Sequence, residues 1–256
     1  MKNKKILIII SIVTIVLLAL YFYLKNEKVY TLNKYSPKGK LLRTNEYVIR
    51  NGDTIFHGKA IEYNEKGNKI AEGQFVDDYL KGKCIFYYDN GKVETIQFTN
   101  GKITEESIYY DQNGLLESYK MYNDLGKTTF TINFDKKGVT KYEGNPVFEL
   151  YEYSLTDKAK YNIKVDQVFK VGDTLKCKYL VANIPNTKRT FKIQNISVDN
   201  EKVKRTITKK PSTGINVEEV LTKKGVNTIR AISEYKFNDK VTPTLTDTLS
   251  FKVTVN

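Results

Sequence analysis

Apolar and polar residues alternate with a period of two along much of this chain, and between positions 61 and 138 the alternation follows a repeating pattern. The pattern is an isoleucine, any residue, a tyrosine or phenylalanine, three further residues and a glycine. Its glycines stand 24, 23 and 24 residues apart, which indicates a repeat array. An imperfect earlier copy contains Tyr35 and Gly39. The four full copies are Ile61-Tyr63-Gly67, Ile85-Tyr87-Gly91, Ile108-Tyr110-Gly114 and Ile132-Phe134-Gly138.

Each copy predicts half of a β-hairpin. Its isoleucine and aromatic residue are two positions apart and therefore share one face of a strand, and its glycine suits a tight turn that needs positive φ. A second aromatic residue follows each glycine after about eight positions and supplies the return strand. The hairpins are predicted to stack into one meandering sheet, because a single hairpin is only marginally stable. The return-strand aromatics are Tyr47, Phe75, Phe98 and Tyr122.

Two copies extend to a longer pattern, G-K-x-I-x-[YF]-x-x-x-G, because Gly58-Lys59 and Gly82-Lys83 precede their isoleucines. Over roughly residues 35–145 the chain resembles the MORN repeat, in the shorter variant found in bacterial proteins catalogued as antitoxin-like. Glu105 and Thr129 replace the leading glycine in the later copies. The resemblance implies an elongated β-sheet used for protein or membrane contacts, and it implies no catalytic residues.

The amino-terminal segment is apolar over nineteen residues, from Ile6 to Leu24, with Ser11 and Thr14 as the only interruptions. A helix of this length crosses a bilayer core, and the lysines before it favour a cytoplasmic amino terminus. We expect residues 1–27 to form a cytoplasmic tail and a single-pass transmembrane anchor. The rest of the chain would then lie in the periplasm or at the cell surface. A cleaved signal peptide is the alternative, although no small-residue cleavage site follows the run.

The repeat period ends near Gly144-Asn145-Pro146, a turn signal that we take as a domain boundary. This places MORN-like repeats at 28–146 and a second domain at 147–256. Short alternating strands in the second domain predict an antiparallel β-sandwich, and its last hairpin resembles that of bacterial immunoglobulin-like domains. The predicted fold is all-β after the transmembrane helix. The candidate strands are Tyr161–Val165, Leu175–Val181, Phe191–Ile193, Val203–Ile207, Val217–Val220, Ile229–Ile232 and Leu249–Val255.

The net charge is +13, and most of the excess belongs to positions 149–256, which carry 20 basic and 12 acidic residues. Eight of these basic residues, Arg205 among them, lie between positions 188 and 210. Their two candidate strands are predicted to be neighbours, so that five lysines line one patch facing anionic lipid or envelope polymer. The alternative is a solvated strand face with lysines that protect a sheet edge. The five lysines are Lys188, Lys192, Lys202, Lys204 and Lys210.

The residues that could carry chemistry are sparse. The sole histidine, His57, begins a repeat and is expected in a surface turn. The adjacent acidic pairs Glu105-Glu106 and Asp77-Asp78 point to opposite faces of any strand and are interpreted as solvated charges. The sequence contains no G-x-S-x-G, P-loop or G-x-G-x-x-G pattern, which argues against an enzyme.

The two cysteines, Cys84 and Cys177, each lie between apolar residues on candidate strands. Two buried, unpaired thiols are expected, and a disulfide between them is the alternative. Because no C-x-x-C or histidine-rich spacing is present, no metal site and no cofactor are predicted.

Two hypotheses about function follow from these patterns. The first is an anchored interaction or scaffold protein that uses its repeat array and sandwich to bind a protein or an anionic envelope component. The second is an antitoxin-like or immunity-like partner that neutralises a toxin, as the antitoxin-like relatives of the repeat imply. Nucleic acid is not an expected partner for domains beyond a membrane.

Overall fold

The computed structural model describes residues 14–15, 27–150, 169–239 and 241–256, without the side chains of residues 148–150. The chain divides into two compact units, Met1–Leu80 and Lys81–Asn256. In the described ranges the regular structure consists of β-strands, one short 3-10 helix, and Thr14 and Ile15 in helical conformation.

The first unit contains four consecutive antiparallel strands. Tight turns at Asn51-Gly52 and longer turns at Ser36–Lys40 and Asn64–Asn68 connect them. Ile61 lies opposite Thr44 on one neighbouring strand and opposite Glu72 on the other. The strands are β1 (Tyr30–Tyr35), β2 (Leu41–Arg50), β3 (Asp53–Tyr63) and β4 (Lys69–Val76).

The second unit begins within β5 (Tyr79–Tyr87), and the repeat strands continue from there as an antiparallel meander. Most of these strand pairs contain a β-bulge at the aromatic residue that precedes the turn. The further strands are β6 (Val93–Asn100), β7 (Ile103–Tyr110), β8 (Leu116–Tyr122), β9 (Thr128–Asp135) and β10 (Gly138–Gly144).

The carboxy-terminal part of the second unit consists of two antiparallel sheets. The four-stranded sheet has the order β11-β12-β15-β14, and the three-stranded sheet has the order β13-β16-β17. A 3-10 helix, Asn200–Lys202, lies between β13 and β14. The strands are β11 (Val147–Leu150), β12 (Thr174–Val181), β13 (Thr187–Asn195), β14 (Arg205–Lys209), β15 (Gly214–Val220), β16 (Gly225–Phe237) and β17 (Leu245–Val255).

One hydrophobic core joins the repeat strands of the second unit to the two sheets that follow. Tyr119 and Phe130 from the repeat strands belong to the same buried cluster as Tyr179 and Tyr235 from the two sheets. All four side chains are fully buried. The boundary expected at 146/147 falls between β10 and β11, and the core continues across that position.

The predicted transmembrane helix is wrong for the described residues: none of their helices is long and apolar enough to cross a membrane. Their apolar side chains alternate along strands instead of forming the continuous run of about 20 residues that a spanning helix needs. The predicted single-pass membrane topology with a cytoplasmic amino terminus depends on this helix and is therefore wrong as well. The run Ile6–Leu24 itself lies outside the described residues, apart from Thr14 and Ile15.

Two candidate strands differ from expectation. Tyr161–Val165 lies outside the described residues. Val203 precedes β14 instead of lying in it, and Ile207, expected on a covered apolar face, is 47% exposed. The cause is the strand order, since β14 is the edge of its four-stranded sheet and both of its faces are open.

Candidate functional site

A row of apolar side chains runs across the repeat strands of the second unit, on one face of the sheet. Ile85 on β5 lies opposite Ile96 on β6, and Ile96 lies opposite Ile108 on β7. The row continues through Tyr119 on β8 to Ile132 on β9. The repeat spacing therefore aligns equivalent side chains from strand to strand, as a period-two pattern with a fixed register requires.

This apolar row, Ile85 to Ile132, is covered unevenly. Tyr119 and Ile132 are 0% exposed in the core that the two carboxy-terminal sheets complete, and Ile108 packs against that core. Ile85 and Ile96 are only half-buried. The same stripe is thus core at β8 and β9 and partly open at β5 and β6.

The repeat glycines lie in five-residue turns that share one hydrogen-bond pattern. In the turn 88–92, the first residue donates its N–H to the carbonyl of the fifth, and Gly91 N–H donates to the carbonyl of the first. Gly91 has φ 79° and Gly114 has φ 86°, the left-handed region that favours glycine. The same pattern occurs at 36–40, 64–68, 111–115 and 123–127.

Side chains at the first turn position reinforce this pattern. Asp111 Oδ1 accepts the N–H groups of Asn113 and Leu115, both at 2.8 Å. These bonds, that from Leu115 foremost, lower the pKa of Asp111. Asn123 accepts two N–H groups in the same way. The asparagine and aspartate residues near the turns are therefore structural, because they satisfy backbone donors.

Successive turns of the second unit also contact each other. The Tyr88 hydroxyl donates to the carbonyl of Tyr110 at 2.7 Å, and Lys92 Nζ donates to the carbonyl of Asn113 at 3.1 Å. In the first unit, Lys40 Nζ donates to the carbonyl of Glu65 at 2.6 Å. The turn at 88–92 is thereby fixed on the turn at 111–115, and the turn at 36–40 on the turn at 64–68.

The last repeat departs from this pattern. Gly138, with φ 133°, follows a two-residue turn whose N–H groups at Lys137 and Gly138 donate to Asp135 Oδ1. A five-residue turn occurs instead at 123–127, between β8 and β9, only twelve positions after the turn at 111. Sequence reasoning missed this turn, although Asn123-x-x-Gly126 matches Asn64-x-x-Gly67 and carries the required signal.

A buried carboxylate that forms no ion pair with any described residue joins the repeat strands to the two carboxy-terminal sheets. Glu106 on β7 is 2% exposed. It accepts hydrogen bonds from the Tyr119 hydroxyl at 2.8 Å, Ser212 Oγ at 2.8 Å and Asn183 Nδ2 at 3.1 and 3.2 Å. The Tyr119 hydroxyl in turn accepts the backbone N–H of Asn183 at 2.8 Å. The interpretation of Glu106 as a solvated charge is therefore wrong.

The surroundings of this cluster, Glu106, Tyr119, Asn183 and Ser212, are strained and desolvated. Burial, followed by the nearby Glu106 carboxylate, raises the pKa of Tyr119 well above its ordinary value. Ser212 has φ 61°, which is unusual for a residue with a side chain. These four groups hydrogen-bond to one another across the repeat strands and the carboxy-terminal sheets, so the cluster forms a docking contact within the chain.

A second buried carboxylate lies between the two carboxy-terminal sheets. Glu219 on β15 accepts two bonds from Arg205 on β14, at 2.6 and 2.9 Å, and one from Asn195 Nδ2 on β13 at 2.9 Å. Their side chains are 12% (Arg205) and 2% (Glu219) exposed. Arg205 also donates to the carbonyl of Ile193 at 2.9 Å. Arg205, counted with the surface cations in the sequence, is thus an interior residue.

The five lysines expected to line one anionic-surface patch are distributed over different elements. Lys188 and Lys192 lie on β13 in the three-stranded sheet, and Lys202 lies in the 3-10 helix. Lys204 precedes β14 and Lys210 follows it, at the edge of the four-stranded sheet. The prediction that the two lysine-bearing strands are neighbours is therefore wrong, because β13 and β14 belong to different sheets.

His57 is part of a charged cluster in the first unit and lies on β3. Its Nδ1 is 3.1 Å from Asp77 Oδ1, which also accepts from Arg50 Nη1 at 2.6 Å. Arg50 pairs with Glu27 on its other side. The Arg50 hydrogen bond, then that of His57, lowers the pKa of Asp77. All four side chains are at least one-third exposed, so the cluster is a surface ion-pair network.

Cys84 and Cys177 are both buried, and no disulfide joins them. In the described parts of the chain, no three His, Cys, Asp or Glu residues are arranged to hold a metal ion.

Comparison with known proteins identifies no family. No family model matches the chain, and no curated protein matches it. The resemblance to MORN repeats therefore stays a prediction.

Solved structures give only distant likenesses. A crystal structure of accessory secretory protein 1, 2 and 3 from Streptococcus pneumoniae is 17% identical over 45% of this chain, with a TM-score of 0.20. The S-layer protein rSbsC is 10% identical over 90% of this chain, with a TM-score of 0.26. Domains 4 and 5 of SbsC are 10% identical over 89% of this chain and 97% of theirs, with a TM-score of 0.23. The chain spans only 19% of the first and 35% of the second structure, and at these TM-scores the likenesses carry no argument.

Proposed function

We propose that this chain is an interaction protein whose repeat strands β5–β7 bind a protein partner through the open end of the apolar row. The observation that carries the proposal is the change in cover along that row. Tyr119 and Ile132 are fully buried, whereas Ile85 and Ile96, in register with them, are half-buried.

The carboxy-terminal sheets already use this face of the repeat strands as a packing surface. A second apolar surface placed beside them would extend the same core over β5 and β6. Full burial of an exposed β-branched aliphatic side chain is worth about 1.5–3 kcal/mol, and each of these half-buried isoleucines gains the part of it that remains. A protein surface is favoured over an anionic polymer because isoleucine offers no group that recognises charge.

The polar groups in the described residues support binding over catalysis. The groups of the Glu106 cluster hydrogen-bond to one another within the chain, and Glu219 is neutralised by Arg205. The turn carboxylates accept backbone N–H groups. Asp135 lines the cleft beside β10, but its Oδ1 already accepts the N–H groups of Lys137 and Gly138.

Site-specific photo-crosslinking in cells tests the proposal. A photoreactive residue at Ile96 is expected to give adducts of discrete mass with a protein partner. The matched control is Gln97, whose side chain points to the opposite face of β6 and which should give none. Equal labelling from both positions, or no adduct from either, contradicts the proposal.

A substitution complements the crosslinking. Ile96→Lys places a charge in the open end of the row and should abolish the adduct formed from a photoreactive residue at Ile85. Gln97→Lys should leave that adduct unchanged. Far-UV circular dichroism of both variants checks that the strands are retained.

A further inference from the structure

The strand β10 is the last in the strand order of its sheet. Among the described strands, β9 is its only hydrogen-bonded neighbour. A free strand edge presents unpaired N–H and C=O groups that pair readily with another strand. The edge is accessible, because a cleft of about 770 Å³ lies beside it, lined by Lys141 and Tyr142 on one side and by Phe237 and Leu245 on the other.

The direction of the backbone groups along β10 follows from its pairing with β9. Asn145 N–H donates to the carbonyl of Thr129 at 3.1 Å. In an antiparallel pair the hydrogen-bonded positions alternate, so Glu143 and Lys141 also face β9. The backbone N–H and C=O of Tyr142 therefore point to the open side.

Part of the edge is already occupied. Val139 N–H donates to Thr242 Oγ1 at 3.3 Å, so the loop between β16 and β17 covers the start of β10. The free portion is the short sequence Lys141-Tyr142-Glu143. Its side chains extend into solvent: Tyr142 is 53% exposed, and the Lys141 and Glu143 side chains are 65% and 66% exposed.

This sequence is self-complementary. When two copies pair antiparallel about a two-fold axis at Tyr142, the two Tyr142 residues exchange both backbone hydrogen bonds. Lys141 of each copy then lies opposite Glu143 of the other, in the non-hydrogen-bonded positions where side chains approach most closely. Two opposite-charge pairs form, and a two-fold contact of this kind is closed.

We propose that β10 is a homodimerisation edge, through which a second copy of this chain adds its own β10 antiparallel across Tyr142. Because Lys141 and Glu143 lie on either side of Tyr142, a second copy in this register places opposite charges across from each other, which an arbitrary peptide does not. In a single chain Lys141 and Glu143 pair with each other on the same face. Dimerisation converts this pair into an alternating square of four charges.

Charge reversal tests the register. Sedimentation equilibrium of the complete chain should show a dimer. Lys141→Glu places like charges opposite each other in both cross-strand positions and should raise the dissociation constant about tenfold. The double change Lys141→Glu with Glu143→Lys restores both pairs and should restore the dimer. A monomeric parent chain, or a dimer that both variants leave unchanged, overturns the proposal.

Disulfide trapping tests the axis. Because residue 142 faces its own copy across the axis, Tyr142→Cys should form a disulfide-linked dimer under mild oxidation. The control is Tyr35→Cys, since Tyr35 is similarly exposed at 56% but lies on β1. Equal trapping of both variants indicates random collision and contradicts the proposal. Crosslinking from Ile96 reports on the apolar row, so failure here leaves that function untouched.

Discussion

The second unit buries two carboxylates in different ways. Glu219, between the two carboxy-terminal sheets, is paired with Arg205 and accepts a further bond from Asn195. Glu106, between the repeat strands and these sheets, is held by a phenol, a hydroxyl and an amide. Glu219 is thus neutralised by a cation from the neighbouring strand of its own sheet, whereas Glu106 is held by directional neutral donors where the repeat strands meet the two sheets.

This difference has an energetic meaning. A buried ion pair contributes little net stability but is costly to break, because one charge is left uncompensated. A carboxylate held by neutral donors depends on the geometry of each of them. The Glu106 cluster should therefore report on how well the repeat strands and the sheets are docked, and Glu219 on the integrity of the sheets themselves.

The largest effect is expected from Arg205→Met. It leaves Glu219 buried without its cation and should reduce the free energy of unfolding by about 3–5 kcal/mol, measured by urea denaturation at pH 7. The surface control Lys192→Met should change it by less than about 0.5 kcal/mol. The double change Arg205→Met with Glu219→Leu should recover most of the loss. Similar losses in the single and double variants would contradict the comparison.

An intermediate effect is expected at alkaline pH. The pKa of Tyr119 is raised by burial and by Glu106, so the folded chain keeps this phenol protonated while the unfolded chain ionises near pH 10. Its contribution is fully present below pH 10 and is lost as the pH rises towards the folded-state pKa. The loss is about 1.4 kcal/mol for each pH unit above 10.

The measurement is urea denaturation at pH 9, 10 and 11, with Tyr119→Phe as the test variant. Because phenylalanine does not ionise, the variant should show a smaller decline in stability between pH 10 and 11 than the parent chain. Tyr35→Phe is the control, since the Tyr35 side chain is 56% exposed. An identical decline in all three chains would show that Tyr119 is not protected in the folded state.

The smallest effect separates two contributions at Ser212. Both Ser212→Ala and Ser212→Gly remove the Oγ bond to Glu106, which should cost about 1–3 kcal/mol. Glycine adopts the positive φ of 61° without strain, whereas alanine does not. The free energy of unfolding of Ser212→Gly should therefore exceed that of Ser212→Ala by about 1 kcal/mol. Thermal melting compares the two directly. A more stable alanine variant would mean that the backbone strain is absent in solution.

Much of the repeat region could be predicted from sequence, because its determinants are local. A glycine with positive φ and a side-chain acceptor three positions earlier are both visible in Asn64-x-x-Gly67 and Asp111-x-x-Gly114. The turn at Asn123 was not predicted because it lies outside the 24-residue period, although the same pattern of acceptor and glycine occurs there, twelve positions after Asp111 and Gly114.

The buried carboxylates could not be predicted in this way. Glu106 contacts Asn183 and Ser212, which are 77 and 106 positions away in the chain. Local sequence patterns do not indicate contacts between residues so far apart. Arg205 looked like one of several surface cations for the same reason. The two lysine-bearing strands were wrongly predicted to be neighbours because β13 and β14, although adjacent along the chain, belong to different sheets.

The stacked turns have a consequence for how such an array changes in length during evolution. Tyr88 and Lys92 donate to backbone carbonyl groups at the next turn. These hydrogen bonds therefore do not depend on which side chains the accepting residues carry. A duplicated unit inserted between β5 and β7 would meet the same carbonyl groups on both sides. The next turn at this end of the strands, at 136–137 between β9 and β10, lacks the five-residue pattern, so a unit added there would not meet a matching turn. Growth of the array is therefore expected among β5–β8 and not after β9.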